Sequence, residues 1–214
     1  MGTFDRSSGT RYYRRLFLLS SEGHVTEPTY FARFNSSNLR VECLAERGKS
    51  APLQVLSRLK KAMNKRRMQR GDQVWLVVDR DEWKEEDLNT LASWVKEAGV
   101  AATIKRGLAL SNPKFEVWLL QHFEDASANS TSRACVSRLL QFMPQYDKFV
   151  NHGLITDDMV VAAVNRGNAV LDPTEDWPKK VGVSTVSRLV EEMLKVTGMV
   201  ESGKNEVVKE NIMA

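Results

Sequence analysis

The 214-residue sequence is poor in cysteine and contains no long apolar run. Its two cysteines, Cys43 and Cys135, are too few and too far apart for a disulfide framework or a thiolate metal site. Apolar runs such as Leu16 to Leu19 have the size of strands and fall far short of the ~18 residues that cross a bilayer. The N-terminus lacks the charged start and apolar core of a signal peptide. We therefore expect a cytoplasmic protein that does not bind membranes.

Histidine is also scarce, and two common nucleotide-binding loops are missing. His24, His122 and His152 share no metal-ligand spacing and are not paired with cysteine. The sequence contains neither G-x-x-x-x-G-K-[ST] nor G-x-G-x-x-G, which argues against ATP or dinucleotide binding through those loops. His24 either contacts phosphate or is an exposed loop histidine.

Positive charge is in mild excess and unevenly distributed. The formal net charge is +4, but residues 58–70 read RLKKAMNKRRMQR, with seven basic residues and no acidic one. Such a run either neutralises the phosphates of a nucleic acid or forms the solvated face of a helix. The residues predicted to bind nucleic acid are Arg11, Arg14, Arg15, Lys60, Lys61, Lys65, Arg66, Arg67 and Arg70.

The hydrophobic pattern predicts an α/β layer followed by a helical portion. The run VWLVV suits a strand of a parallel sheet that is buried on both faces. Strands are predicted at 15–20, 39–44, 72–79 and 100–105. Predicted helices begin near Thr26, which we expect to be an N-cap, near Leu53 with continuation through the basic run, and near Leu88. Further helices are predicted from Asn112 to Phe123, with Asn112 as the cap, and at 132–143, 157–171 and 186–194.

Strand–helix alternation predicts a mostly parallel sheet flanked by helices. We expect a flexible N-terminus at 1–10, an α/β core at 11–124, a helical C-terminal part packed on that core at 125–200, and a polar tail at 201–214.

Acidic residues follow two of the predicted strands. Glu22 comes directly after LFLLSS, and Asp79 and Asp81 lie in VVDRDEW. The carboxyl ends of parallel strands meet at one edge of a sheet, where ligands of open α/β folds bind. Neighbouring carboxylates without histidine or cysteine favour Mg²⁺, or Mn²⁺, and such an ion polarises a phosphoryl group. Glu22 would be a third ligand or a general acid–base, and Gly23 would let the backbone approach a phosphate.

That constellation resembles the Toprim fold, a Rossmann-like arrangement shared by topoisomerases, primases and several nucleases. Longer strings narrow the resemblance. EGHVTEPTYF, from Glu22 to Phe31, is similar to the EGxxTEPxYF signature of the RloB family of prokaryotic Toprim-like proteins, and VVDRDEW fits its second motif. SNPKFEVWLLQHFE, from Ser111 to Glu124, resembles its third motif, and YDK at 146–148 resembles a weaker feature.

The resemblance implies a defence nuclease encoded near restriction–modification or anti-phage loci, often beside an ATPase, and acting on RNA such as tRNA. Glu27, Glu116, Ser111, Asn112 and His24 are further candidate site residues, although a cap or salt bridge would equally explain the two glutamates. We expect Phe115, Trp118, Leu119 and Phe123 to face the core.

Three functions stay open. The first is Mg²⁺-dependent hydrolysis of nucleic-acid phosphodiesters, with RNA favoured over DNA and Glu22, Asp79 and Asp81 as catalytic residues. The second is a non-catalytic nucleic-acid-binding or adaptor subunit of a defence complex. The third is metal-dependent chemistry on a small phosphoester. The sequence leaves a homo-oligomer open.

Overall fold

The computed structural model describes residues 13–80, 83–98, 103–128 and 131–198. In these residues five strands form one sheet with the order β2-β1-β3-β4-β5. The strands are β1 (Arg15–Ser21), β2 (Leu39–Leu44), β3 (Gln73–Asp79), β4 (Lys105–Asn112) and β5 (Val183–Ser184). The first four strands are parallel, and β5 pairs antiparallel with β4.

Helices cover both faces of the sheet. They are α1 (Thr26–Ala32), α2 (Pro52–Asn64), α3 (Glu85–Lys96), α4 (Glu116–Gln121), α5 (Ser132–Phe142), α6 (Asp157–Ala169) and α7 (Val186–Thr197), with 3₁₀ turns at Ala126–Ala128 and His152–Leu154. α2 and α3 pack on one face, where Leu59 and Leu91 contact a core built on Leu76. α1, α4, α6 and α7 contribute to the larger core on the other face. The predicted α/β fold with a mostly parallel sheet and a C-terminal helical part is confirmed.

The C-terminal part contributes directly to the sheet. Strand β5 lies beside β4, and the backbone N–H of Thr185 donates to the carbonyl of Leu110 at 2.9 Å. The hydroxyl of Thr185 also accepts from the N–H of Leu110 at 2.8 Å. Because α7 follows at once and buries Leu189 and Met193 in the larger core, this part shares its apolar interior with the α/β part.

Several local predictions were wrong. The fourth strand does not lie at 100–105 but at Lys105–Asn112, where pairing with β3 runs from Gln73–Lys105 to Asp79–Ser111; residues 99–102 lie outside the described part. Asn112 therefore ends a strand, and α4 begins only at Glu116.

Thr26 is not the N-cap of α1. It is the first helical residue after Val25, and its hydroxyl donates to the carbonyl of Lys148 at 2.9 Å. The side chain is therefore used for a tertiary contact instead of the helix start. In the described part of the chain, no helix combines the length and apolar character needed to cross a membrane.

Candidate active site

Glu22 and Asp79 meet at the carboxyl edge of the sheet. Asp79 ends β3, and Glu22 follows β1, its direct neighbour. The N–H of Glu22 donates to the carbonyl of Val77 at 2.9 Å, which continues the strand pairing by one residue. The carboxylate of Glu22 accepts from the N–H of Asp79 and from Nε1 of Trp83, both at 3.2 Å. The side chain of Glu22 is thus fixed over the end of β3.

The third predicted carboxylate, Asp81, lies outside the described residues. Among those that are described, no group of three or more histidine, cysteine, aspartate or glutamate side chains is placed to hold a metal ion. Glu22 and Asp79 supply hard oxygen donors at a strand edge, which is the donor chemistry that Mg²⁺ prefers. Asp79, with Asp81, would hold the ion, and Glu22 would be a third ligand or a general acid–base.

Gly23 and Glu27 form a tight unit beside Glu22. Oε1 of Glu27 accepts from the N–H of Gly23 at 2.8 Å, and the Glu27 side chain is buried. A Cβ atom at position 23 would lie 2.0 Å from Oε2 of Glu27. Glycine here allows the close approach of a carboxylate from the same chain, which is a different role from the predicted approach of a phosphate. Burial raises the pKa of Glu27.

Lys148 brings a cation from the C-terminal part to this edge. Its Nζ lies 2.6 Å from Oε1 of Glu116, a buried carboxylate that also accepts from the hydroxyl of Tyr146 at 3.0 Å. The backbone of Lys148 adopts a φ of 63°, and its carbonyl accepts from Thr26. The loop at 146–148 is therefore anchored to both α1 and α4.

The charges in this cluster stabilise one another. Burial raises the pKa of Glu116, but the hydrogen bond and charge of Lys148 outweigh it, so that the pKa lies below its ordinary value. Burial lowers the pKa of Lys148, yet its bond to Glu116 makes the net shift upward, and the charges of Asp79 and Glu27 act in the same direction. The ammonium group of Lys148 thus faces acidic side chains from three elements. The sequence motif at 146–148 was a signal for this residue, but no role was predicted for it.

Arg58 links α2 to the same edge. Its guanidinium donates to the carbonyl of Ser21 at 2.5 Å, to the hydroxyl of Ser20 at 3.0 Å and to the carbonyl of Lys49 at 3.0 Å. The charge of Arg58 therefore lies beside the residue that precedes Glu22. The sequence predicted a basic run at residues 58–70 but did not single out Arg58 within it.

The other candidate site residues have mostly structural contacts. The hydroxyl of Ser111 lies 2.8 Å from that of Ser184, and the amide of Asn112 donates to the carbonyls of Pro178 and Lys179. Ser111 is nevertheless paired with Asp79 in the sheet. His24 is exposed in the loop after Gly23. The predicted core positions Phe115, Trp118 and Leu119 are buried, and Phe123 packs against them.

The predicted basic residues do not form one surface. α2 ends at Asn64, so that the expected helix through Arg70 is wrong. The segment 65–70 lies beside the start of β1, since Asp72 accepts from the N–H groups of both Gln69 and Leu16. We call the end of the sheet at which the parallel strands begin the amino edge. It lies about 20 Å from Glu22, the length of a seven-residue strand. Six of the predicted basic residues lie toward this edge: Arg14, Arg15, Lys65, Arg66, Arg67 and Arg70. Arg11 lies outside the described residues.

Lys60 and Lys61 lie on opposite flanks of α2. Lys60 faces α3, with its Nζ 6.0 Å from the centre of the Trp94 ring. Lys61 lines a groove on the β2 side with Arg58 and Lys65. The basic run is therefore divided between two flanks and a loop.

No curated protein and no solved structure matches the chain. The family model described as RloB-like protein matches residues 17–193, which run from within β1 to within α7 and include Glu22, Glu27, Asp79, Glu116 and Lys148. The resemblance carried by the three sequence motifs is thus confirmed, and the chain belongs to the RloB-like family.

Proposed function

We propose that this protein is a Mg²⁺-dependent nuclease of the Toprim type that hydrolyses nucleic-acid phosphodiesters, with RNA, including tRNA, favoured over DNA. The observation that carries the proposal is the contact between the Glu22 carboxylate and the N–H of Asp79 at the carboxyl edge of two adjacent parallel strands. Ligands of open α/β sheets bind at this edge. The two acidic residues belong to different motifs, and folding brings them together.

Each residue has a separate part in the proposed hydrolysis. Asp79 and Asp81 would hold Mg²⁺, which supplies charge neutralisation at the phosphoryl oxygens when bound. The Glu22 carboxylate, oriented by Trp83, would accept a proton from the attacking water. The new bond joins the water oxygen to phosphorus, the bond to the leaving oxygen breaks, and that oxygen takes up a proton from solvent, to which Glu22 then releases the proton that it accepted. Lys148 and Arg58 would supply fixed positive charge beside the phosphate.

A role in prokaryotic anti-phage defence, with an ATPase as partner, follows from the family resemblance. A free nuclease would damage its host, so we expect an inhibited resting state or an activating partner. The ion pair between the buried Glu116 and the exposed Lys148 supports a site whose charges are organised before substrate binds.

The direct test is cleavage of RNA, tRNA and DNA by the purified protein with Mg²⁺, with Mn²⁺ and with EDTA. We expect cleavage with either metal, none with EDTA, and a loss of at least about a hundredfold in Asp79→Asn, because removing one charge-stabilising group typically costs that much. Asp158→Asn, the same change at an exposed aspartate in the first turn of α6, is a matched control outside the chemistry. Metal-dependent cleavage at the parental rate by Asp79→Asn would refute the assignment.

A non-catalytic binding subunit is the second candidate. It is favoured by the amino-edge position of many basic residues, about 20 Å from Glu22. Binding would then depend steeply on salt but would be indifferent to EDTA and to Asp79→Asn.

A further inference from the structure

A basic groove begins beside the candidate active site and runs along α2. It encloses about 640 Å³ between α2 and the segment that follows β2. One face of the helix lines it at the spacing i, i+4, i+7, through Gln54, Arg58 and Lys61, and Lys65 continues the line just beyond the helix. Its lining includes one acidic side chain, Glu46, and five basic ones. The basic residues are Lys49, Arg58, Lys61, Lys65 and Arg66.

A second depression continues this surface around the β2 side of the sheet. It encloses about 420 Å³ and shares Arg66 with the groove. The residues that line it include three more arginines and one acidic residue, Glu42, which pairs with both Arg66 and Arg40. The added arginines are Arg14, Arg40 and Arg67. Positive charge is therefore continuous from the carboxyl edge to the amino edge on this side.

The other flank of the carboxyl edge has mixed charge. The first turn of α3, which follows Asp79 in the chain, contains Glu85, Glu86 and Asp87. Glu85 pairs with Arg80 at 3.9 Å and with Lys179 at 3.8 Å, and Lys84 precedes it at the start of the helix. A polyanion with one phosphate near Glu22 is therefore attracted more strongly toward α2 than toward α3.

The geometry points to a track for the backbone of a single-stranded RNA that leads from the candidate active site along the β2 side of α2 to the amino edge. This inference rests on the proposed function, since it gives the route by which the same substrate leaves the site. α2 alone is about 20 Å long, room for several phosphates. Arg58 joins the two parts, because its guanidinium touches Ser21 at the edge and lines the groove.

Lys60 and Lys61 provide a matched pair of variants. They are adjacent exposed residues of one helix, but only Lys61 lines the groove, whereas Lys60 lies toward Trp94. Lys61→Glu and Lys60→Glu change the net charge of the protein equally. A difference between them therefore reports the position of the charge.

Binding is measured by fluorescence anisotropy on the full chain carrying Asp79→Asn, so that the labelled RNA is not cleaved. We expect Lys61→Glu to lower the affinity for an RNA of about 20 nucleotides roughly tenfold. The slope of log affinity against log salt concentration should fall by about 0.7 to 1. Lys60→Glu should change this affinity less than about twofold, and an RNA of about four nucleotides should bind all proteins alike. Lys65→Glu should repeat the result of Lys61→Glu, and thermal melting confirms that each variant is folded.

Equal effects of Lys60→Glu and Lys61→Glu, or an equal loss for the short RNA, would overturn the track. Competition by poly-glutamate as effective as that by unlabelled RNA of equal charge would overturn its assignment to nucleic acid. Because this readout needs no cleavage, the expected binding pattern in a protein that does not cleave would leave the track established, so that failure of the nuclease and failure of the track are distinguishable.

Discussion

Gly23→Ala tests how the first motif builds the site. An alanine Cβ would lie 2.0 Å from Oε2 and 2.5 Å from Oε1 of Glu27, far inside van der Waals contact. An exposed glutamate would swing aside at little cost, but Glu27 is only 4% exposed. Its carboxylate must therefore leave the N–H of Gly23 without reaching water. A buried group that loses its hydrogen bond costs about 1–3 kcal/mol, so we expect a loss of about 2 kcal/mol in the free energy of unfolding.

The test is a double-mutant cycle with Glu27→Ala, measured by urea unfolding at pH 7 through tryptophan fluorescence. A loss of about 2 kcal/mol lowers the midpoint by about 1 M at a typical slope of about 2 kcal/mol per M. In the Glu27→Ala background the obstacle is absent, and Gly23→Ala should be neutral or stabilising by up to about 1 kcal/mol, since alanine restricts the unfolded chain. The coupling energy is then about 2–3 kcal/mol. Equal destabilisation by Gly23→Ala in both backgrounds would refute the reasoning.

Two further predictions concern buried carboxylates. Lys148→Met removes the partner that lowers the pKa of Glu116, so we expect about 1–2 kcal/mol lower stability at pH 7. This deficit should shrink as the pH falls below the ordinary glutamate pKa and vanish below the lowered pKa of Glu116, because the stabilisation by a lowered pKa is lost when the folded state is protonated; urea unfolding at pH 7 and at successively lower pH measures it, and a deficit that stays equal down to the lowest pH would contradict the ion pair. Asp72→Ala leaves the N–H groups of Leu16 and Gln69 and the Tyr13 hydroxyl without their acceptor, which should cost about 2–4 kcal/mol. Asp72→Asn keeps one acceptor oxygen and should cost less in the same urea experiment, whereas equal losses would show that the packing of the side chain matters more than its bonds.

Local sequence patterns were sufficient for most of the sheet. The run VWLVV in β3 is buried along its length, because a central parallel strand is covered on both faces. The same parallel arrangement made the meeting of Glu22 and Asp79 predictable, since carboxyl ends of neighbouring strands share an edge. Both inferences needed only the strand positions and the chain direction.

The features that the sequence did not predict depend on contacts between residues far apart in the chain or on the geometry of the helix. Residues 100–105 resemble a strand by composition, but the register with β3 places β4 five residues later. Lys148 is 32 residues from Glu116 along the chain, and no periodicity connects them. The basic run was treated as one face, although adjacent residues of a helix point about 100° apart and Lys60 and Lys61 therefore separate.

The first motif, residues 22–31, connects the parts of the chain that form the candidate site. Gly23 admits the carboxylate of Glu27, and Thr26 holds the carbonyl of Lys148. One helical turn later the hydroxyl of Tyr30 contacts Nε2 of His122 at 3.0 Å, at the end of α4. The same short helix thus binds the loop at 146–148 and the helix of the third motif. Because Lys148 is held at the edge by Thr26 and Glu116, the C-terminal part adds a cation to the candidate site that the strand ends begin.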